Sequence, residues 1–273
     1  MKKPKIALTI AGTDPTGGAG VMADLKSFHA CGVYGMATIT SIVAQNTKGV
    51  QHIHNLETQW LSEQLSSVFD DELPHAIKTG MIASKDMMKV IQEYLVTYPD
   101  IPYVIDPVML AKSGDSLMDD DAKKDLQNIL LPLATVATPN LPEAEEITGL
   151  TIEDEASIYK AGKIFINEIG SKGVVIKGGH AEDLDRAKDY LFTKDNVYTF
   201  EEPRYETKHT HGTGCTFSAV ITAELAKGKS IYEAVKKAKA FISLSIKYTP
   251  EIGQGRGPVN HFAYMKKVGL DDE

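Results

Sequence analysis

The chain has 273 residues, of which 42% are hydrophobic and 24% are charged, a composition that allows a large buried core. The formal net charge of −8 and the absence of a long Lys/Arg run argue against nucleic acid as the main partner. Cys31 and Cys215 are the only cysteines, too few for a disulfide framework or a thiolate metal cage.

The first apolar run, KIALTIAG, has about six consecutive apolar residues, too few for a signal segment or a membrane span. We therefore expect a cytoplasmic protein without a membrane partner. The sequence shows no internal repeat or long linker, which predicts a single domain over residues 1–273.

Short β-branched runs alternate with longer helical patterns along the chain. The pairs in order are KIALTIAG with GVMADLKSFHACG, ATITSIVAQN with TQWLSEQLSSVFDD, HAIKTGM with DMMKVIQEYLVTYP, YVIDPVM with DAKKDLQNILLPLA, and TVATPN with EAEEITG, followed by GVVIKGG. This alternation predicts an α/β fold with a mostly parallel sheet. DYLF, TKDN and VYTF predict a hairpin that adds an antiparallel edge, and TFSAVITAELAKG predicts a helix that ends at Gly228.

Polar residues and glycines follow the apolar run of each predicted strand. They are Gly12 to Gly20, Gln45, Gly80 with Met81, Asp106, Asn140 with Glu143, and Lys177. Ligands of parallel sheets bind outside the carboxyl ends of the strands. We therefore expect these residues to converge on one rim.

The glycine-rich stretch IAGTDPTGGAGVMADLKSF matches two phosphate-binding patterns only in part. A Walker A loop would need Lys and Ser/Thr where Gly18 and Ala19 stand, and the dinucleotide fingerprint lacks its acidic residue about 20 positions later. The stretch could be a flexible turn or a loop through which the backbone approaches a small ligand. Asp14 and Asp24 supply carboxylates nearby.

Three further positions admit both a structural and a functional interpretation. Asp106 could end its strand or act in the site, and Asn140 with Glu143 could be a helix capping box or could orient water on Mg²⁺. Lys177 could be solvated, or its ammonium could reach phosphate oxygens.

The turn Gly212-Thr213-Gly214-Cys215 leads into the helix of TFSAVITAELAKG, so its free amides could form an anion cradle. A thiol at that position should have a lowered pKa, although Cys215 could also be a small buried hydrophobe. A nucleophilic pair of Cys215 with His211, or a metal held by His209 and His211, is less favoured because His211 lies on the same turn and no third ligand is near.

One set of stretches carries a family resemblance: LTIAGTDPTGGAGVMADLKSF, VAQNTKGV, KTGM, DPVMLAKSGD, TPNLPEAEEITG, KGGH, HTHGTGCTFSA and GRGPVNHF. Over essentially its whole length the chain resembles the ribokinase-like superfamily, and within it the hydroxymethylpyrimidine and phosphomethylpyrimidine kinases of thiamine biosynthesis. The resemblance implies a ribokinase-like three-layer α/β/α sandwich, ATP as co-substrate, Mg²⁺ and a homodimer.

The same resemblance implies roles for individual residues. The catalytic set comprises Gly212, Thr213 and Gly214 as the anion hole, with Cys215 and Asp106. The substrate set comprises Gly12, Gln45, Met81 and Val108, with Asp24 near it, and the ATP set comprises Lys177, Asn140 and Thr213. Glu143 and Asp106 would hold Mg²⁺ through water. Cys215 stands where related sugar kinases carry an aspartate base, so it could accept a proton as a thiolate, or the base role could be slight.

The carboxamide of Gln45 presents a donor beside an acceptor, which matches the amine and ring nitrogen of a 4-aminopyrimidine. The resemblance implies ATP-dependent phosphorylation of 4-amino-5-hydroxymethyl-2-methylpyrimidine and of its monophosphate, and the match of Gln45 favours that ring. Two alternatives remain open, a pyridoxal or pyridoxine kinase of the same superfamily and a non-catalytic nucleotide or vitamer sensor. A lid at AKSGD and adenine contacts between the GTGC helix and AVKKAKAFISLSIK are further expectations.

Overall fold

The computed structural model describes residues 3–109, 120–178 and 185–267. The strands are β1 Ile6–Ala11, β2 Tyr34–Ile39, β3 Ser41–Asn46, β4 Gly49–Asn55, β5 Ala76–Thr79, β6 Tyr103–Ile105, β7 Val136–Ala137, β8 Gly173–Lys177, β9 Arg186–Thr193 and β10 Val197–Pro203. The α-helices are α1 Gly20–Ala30, α2 Thr58–Phe69, α3 Lys85–Thr97, α4 Asp120–Asp125, α5 Leu141–Thr148, α6 Glu155–Ile164, α7 Thr213–Ala226, α8 Ile231–Lys247 and α9 Ala263–Lys267. The helical path continues from α4 through Leu126–Leu130 and Leu131–Leu133, and from α6 through Phe165–Ile169.

Eight strands form the central sheet in the order β10-β9-β8-β7-β6-β5-β1-β2. The neighbours from β2 to β8 pair in parallel, whereas β8, β9 and β10 pair antiparallel. Both the parallel sheet and the antiparallel edge formed by the DYLF–VYTF hairpin are therefore confirmed.

Alternate residues of the strands face two separate hydrophobic clusters. Leu8 and Ile10 of β1 pack on the side of α2, α3, α5 and α6, whereas Ala7 packs on the side of α1, α7 and α8. Side chains of successive strand residues point to opposite faces, so a buried strand needs a helical layer on each side. The structure is a three-layer α/β/α sandwich, as the sequence predicts.

Helix α7 is buried on all sides from Thr216 to Ala226. It contacts α1, α8 and the strands β1, β5 and β6, so no side of the helix is left for water. Its end agrees with the sequence, because Gly228 adopts a left-handed φ of 79° and donates from its amide to Leu225 O.

The pattern of ATITSIVAQN predicts one strand, but the structure has two. β2 ends at Ile39, and β3 begins at Ser41 and pairs with β4 in a separate two-stranded hairpin. The apolar alternation continues across the break because Val43 of β3 is also buried, with its amide donating to Thr13 Oγ1 in the loop after β1. Within the described ranges, no helix is long and apolar enough to cross a membrane.

Candidate active site

A cavity of about 1470 Å³ lies at the carboxyl ends of the parallel strands. The predicted site residues that line it are Gly12, Gln45, Met81, Asp106, Val108, Asn140, Glu143, Lys177, Gly212, Thr213, Gly214 and Cys215. Loops after separate strands therefore meet at one place, as parallel topology predicts. Of the lid expected at AKSGD nothing is described, because residues 111–115 lie outside the described ranges.

Asp24 is the predicted site residue that does not line this cavity, and its expected place beside the substrate is not supported. Its carboxylate is fully buried in α1, where it accepts from Lys78 Nζ at 2.8 and 2.7 Å and from Thr9 Oγ1 at 2.6 Å. Burial acts to lower the pKa of Lys78, but the negative charge of Asp24 raises it. Asp24 therefore holds a buried ammonium under the cavity floor instead of facing a ligand.

Asp106 and Lys177 form an ion pair at the ends of β6 and β8. Lys177 Nζ lies 3.2 Å from Asp106 Oδ1, which also accepts from Thr138 Oγ1 at 3.0 Å. Burial opposes the charge of Lys177, but Asp106 and Glu143 raise its pKa. The lysine side chain keeps 18% of its surface exposed, so a charged ammonium reaches the cavity.

Asn140 and Glu143 form the capping box that their spacing predicts at the start of α5. Asn140 Oδ1 accepts from the Glu143 amide at 2.9 Å, and Glu143 Oε2 accepts from the Asn140 amide at 2.8 Å. Burial raises the pKa of Glu143 to about 7, while Lys177 opposes the shift. Capping is thus observed, and the same carboxylate also lines the cavity.

The GTGC turn places the start of α7 against the Asp106–Lys177 pair. Gly212 is the N-cap with a φ of 76°, and a Cβ atom there would lie 1.6 Å from Gly18 O. A Cβ atom on Gly214 would lie 3.2 Å from Asp106 Oδ2 and 3.4 Å from Lys177 Nζ. The first amides of a helix lack intrahelical acceptors, so they and the ammonium can act on the same anion.

The pKa of Cys215 is raised to about 11, contrary to the lowered value that the helix position suggested. Burial of the thiol is the main cause, and it outweighs the attraction of Lys78. A helix N-terminus lowers a thiol pKa, whereas burial in apolar surroundings raises it. The raised pKa favours the neutral thiol of Cys215 over the thiolate at neutral pH.

The two neighbouring histidines, His209 and His211, make hydrogen bonds to other parts of the chain. His211 Nε2 lies 2.7 Å from Asp14 Oδ2, and Asp14 also accepts from the amides of Gly18 and Ala19 at 3.1 and 2.8 Å. His209 Nδ1 accepts from the Gly257 amide at 3.0 Å. The Asp14–His211 contact joins the glycine-rich loop to the GTGC turn, a role that the sequence reasoning missed.

Gln45 reaches the cavity by a different route from the one expected. It belongs to β3 of the separate hairpin, and the register of that hairpin shifts between Ala44 and Gln45. Val43 and Val50 line the cavity beside it. The hairpin therefore covers the cavity with a carboxamide between apolar side chains, while Asp106 and Lys177 come from strand ends of the central sheet and Gly212 to Cys215 from the start of α7.

The cavity extends between α7, α8 and the segment that follows β10. Its lining there includes Phe217, Ile242, Ile246, Pro203 and Tyr205. These surfaces flank the region where adenine was expected, and the contact itself stays a prediction. Lys239 and Asp189 also line the cavity, with Lys239 Nζ 2.7 Å from Asp189 Oδ2.

Among the described residues, no group of three His, Cys, Asp or Glu side chains could hold a metal ion by itself. Asp106 and Glu143 both line the cavity beside Lys177. This donor set fits Mg²⁺ that keeps most of its ligands as water or phosphate oxygens.

Comparison with known proteins agrees with this geometry. A profile described as phosphomethylpyrimidine kinase matches residues 14–260. The hydroxymethylpyrimidine/phosphomethylpyrimidine kinase of Staphylococcus aureus (strain MSSA476) is 77% identical over 273 residues, covering 100% of this chain and 99% of its own length.

Two solved structures have the same fold. An ADP complex of Bacillus subtilis pyridoxal kinase has a TM-score of 0.89 at 37% identity and covers 98% of this chain and 100% of its own. The phosphomethylpyrimidine kinase of Clostridium difficile 630 has a TM-score of 0.78 at 42% identity and covers 88% of this chain and 98% of its own. The chain belongs to the phosphomethylpyrimidine kinase family.

Proposed function

We propose that this protein transfers the γ-phosphoryl group of ATP to the hydroxymethyl group of 4-amino-5-hydroxymethyl-2-methylpyrimidine, and then to the phosphate of the resulting monophosphate. The observation that carries the proposal is a single cavity lined by Gln45, by the Asp106–Lys177 pair and by the start of α7. Family membership supports the same reaction class.

Recognition of the pyrimidine would come from the hairpin. The Gln45 carboxamide can accept from the exocyclic amine and donate to the adjacent ring nitrogen, as Gln and Asn do with adenine. The flanking Val43, Val50, Met81 and Val108 give apolar contact for the ring. A site built on paired hydrogen bonds discriminates strongly against a ring that lacks one partner.

Phosphoryl transfer depends mainly on positioning and on stabilisation of the charge of the transferring group. Lys177 and the amides of Gly212 to Cys215 are the groups that would act on that charge, because they meet at one point beside Asp106. Since Cys215 is a neutral thiol, we propose that it contributes packing and a weak hydrogen bond more than proton removal.

Mg²⁺ would be held by water-mediated contacts of Asp106 and Glu143, with Asn140 orienting Glu143 through the capping box. When bound, the ion would neutralise phosphate charge. Thr213 and Lys177 would contact the ATP phosphates.

We further propose a homodimer, a single domain over residues 1–273 and a cytoplasmic location. Light scattering tests the homodimer.

A second candidate, phosphorylation of pyridoxal, is favoured by the likeness to a pyridoxal kinase structure. The two candidates differ at Gln45, because pyridoxal presents a phenolic oxygen instead of an amine. The retained Asp106–Lys177 pair and GTGC turn speak against a non-catalytic sensor.

The deciding experiment measures ADP release from ATP and Mg²⁺ with three acceptors: the aminopyrimidine alcohol, its monophosphate and pyridoxal. We expect the highest kcat/KM with the two pyrimidines, and an at least roughly tenfold loss for them in Gln45→Met. Lys177→Ala should weaken apparent ATP affinity, whereas Lys172→Ala, which removes an exposed lysine just before the same strand, should not. Equal or greater efficiency with pyridoxal would refute the proposed substrate, and absence of ADP release with every acceptor would refute the kinase.

A further inference from the structure

The segment of residues 252–261, here called the strap, ties the β3–β4 hairpin to the turn that precedes α7. At one end, the Gly255 amide donates to Thr47 Oγ1 at 3.1 Å and the Arg256 amide donates to Thr47 O at 2.7 Å. At the other end, the His211 amide donates to Gly257 O at 3.1 Å. The strap therefore connects the hairpin that carries Gln45 with the GTGC turn.

Arg256 is the cationic residue of this strap, and it lines the cavity. Its backbone is fixed on both sides, by Thr47 before it and by the contacts of Gly257 with His209 and His211 after it. Thr47 lies two residues beyond Gln45 on the same hairpin. The backbone that carries the guanidinium is thus anchored between the hairpin of Gln45 and the turn before α7.

The other cationic residues in the described lining of the cavity are anchored elsewhere. Lys177 pairs with Asp106, Lys239 pairs with Asp189, Lys123 lies 3.3 Å from Glu146, and Arg204 follows β10. These four belong to the sheet end or to the α4, α5 and α8 side of the cavity. Arg256 is distinguished by its attachment to the hairpin.

The second reaction of the proposed function needs a further anion site. Its acceptor already carries a phosphate with a charge of about −1.5 to −2 at neutral pH. While Lys177 and the helix amides hold the γ-phosphate, a second cation must offset the repulsion between the two phosphates. An arginine suits this role because its fork binds phosphate oxygens in a bidentate manner.

We infer that Arg256 is a specificity-determining residue that recognises the phosphate of the monophosphate acceptor. In that reaction an acceptor phosphate oxygen forms a bond to the γ-phosphorus, the bond from that phosphorus to the ADP oxygen breaks, and ADP leaves with the electron pair. A phosphate dianion has no proton to lose, so no base is required. This inference rests on the proposed function and goes beyond it by naming the residue that admits the second acceptor.

The test compares Arg256→Ala, Arg256→Lys and Lys48→Ala with the unmodified protein, using both pyrimidine acceptors. Lys48 is a matched control because it is exposed at the tip of the same hairpin and is absent from the cavity lining. For Arg256→Ala we expect the ratio of kcat/KM for the monophosphate to kcat/KM for the alcohol to fall about tenfold to a hundredfold, as for loss of a hydrogen bond to a charged group. The ratio should fall because KM for the monophosphate rises in Arg256→Ala. We expect a smaller rise in Arg256→Lys and none in Lys48→Ala.

An unchanged ratio in Arg256→Ala would overturn the inference, and so would an equal loss with both acceptors, which would show that the residue only braces the hairpin. If Arg256→Ala does not fold, Arg256→Lys decides the question, because the strap bonds at this position are made by the backbone. Failure of the proposed function itself is separate, since the unmodified protein would then not phosphorylate the alcohol.

Discussion

The buried Asp24–Lys78 ion pair leads to a prediction about stability. In Lys78→Met, the Asp24 carboxylate loses the two contacts from Nζ at 2.8 and 2.7 Å and keeps the one from Thr9. Both side chains are fully buried, so no water replaces the ammonium. Removing one partner of a buried pair costs about 3–5 kcal/mol, because an uncompensated charge remains. We expect Lys78→Met to lower the free energy of unfolding by about 4 kcal/mol, or Tm by roughly 8–16 °C.

The destabilisation caused by Lys78→Met should decrease as the pH falls. Burial already raises the pKa of Asp24 against the attraction of Lys78, and without Lys78 the pKa in the folded variant would rise further above its value in the unfolded chain. Such a carboxyl group favours folding below the unfolded pKa and loses that contribution as pH rises through the folded pKa. The gap between Lys78→Met and the unmodified protein should therefore narrow as the pH falls from 7 towards 4.

The assay is chemical and thermal unfolding followed by far-UV circular dichroism, with two controls. Lys85→Met removes a pair in which Lys85 is 52% exposed and lies 2.6 Å from Asp125, and it should lower the free energy of unfolding far less than Lys78→Met does. The double variant Asp24→Asn with Lys78→Met removes both charges and should recover part of the loss. A Lys78→Met variant as stable as Lys85→Met, or a double variant no better than the single one, would refute the reasoning.

Three other predictions follow from buried groups and tight turns. Burial lowers the pKa of His261 to about 4 from 6.5. The free energy of unfolding should therefore fall by up to about 3 kcal/mol as the pH drops from 6.5 to 4, and His261→Gln should reduce that fall in urea titrations. Gly212→Ala, whose Cβ atom would lie 1.6 Å from Gly18 O, should abolish turnover. Gly149 is also left-handed, but a Cβ atom there would have nothing within 4 Å, so Gly149→Ala should lower the free energy of unfolding by only about 1 kcal/mol. Because its pKa is raised to about 11, Cys215 should react with iodoacetamide at pH 7.5 far more slowly than a free thiol, as followed by mass spectrometry.

Each of these outcomes has a clear opposite. An unfolding free energy that is flat from pH 6.5 to 4 would exclude the buried neutral state of His261, whose Nε2 lies 3.0 Å from Thr216 Oγ1. If Gly212→Ala and Gly149→Ala affected turnover and stability equally, the left-handed φ alone, and not the contact with Gly18 O, would explain both effects. Rapid labelling of Cys215 in the folded protein, at the rate of the urea-unfolded control, would contradict the raised pKa of its thiol.

The architecture could be predicted from the sequence because strand and helix periods differ and parallel strands end on one edge. Asp106, Asn140 and Lys177 each follow an apolar run, and this local signal was enough to bring them to one cavity. The capping box of Asn140 and Glu143 is equally local, since both bonds span three residues.

The errors concern features that depend on distant parts of the chain. Asp24 stands near the glycine-rich loop in sequence, but its partner Lys78 is 54 residues away and takes both of its oxygens. The one available signal was a lysine inside the otherwise uncharged strand AIKT. The pKa of Cys215 depends on how deeply its helix is buried, which a helix start alone does not reveal.

The hairpin was missed for a different reason. A break between β2 and β3 does not interrupt the alternation of buried residues, because Val43 is buried beside the loop after β1 instead of within the central sheet. Arg256 has no local signal except its flanking glycines, and it reaches the site through bonds to Thr47, about two hundred residues earlier in the chain.

The lysines at the site share one arrangement, in which each is paired with a carboxylate. Lys177 pairs with Asp106, Lys239 with Asp189, and Lys78, beneath the floor, with Asp24. A lone buried ammonium would lose its charge, so Asp24 and Asp106 keep Lys78 and Lys177 charged and in place before any phosphate arrives. An incoming phosphate must then compete with Asp106 for Lys177, which lowers the gain in binding but fixes the position of the cation. We therefore expect Asp106→Asn to bind ADP at least as tightly as the unmodified protein in calorimetry without added metal, while losing turnover; weaker ADP binding under those conditions would show that Asp106 does not compete for the lysine.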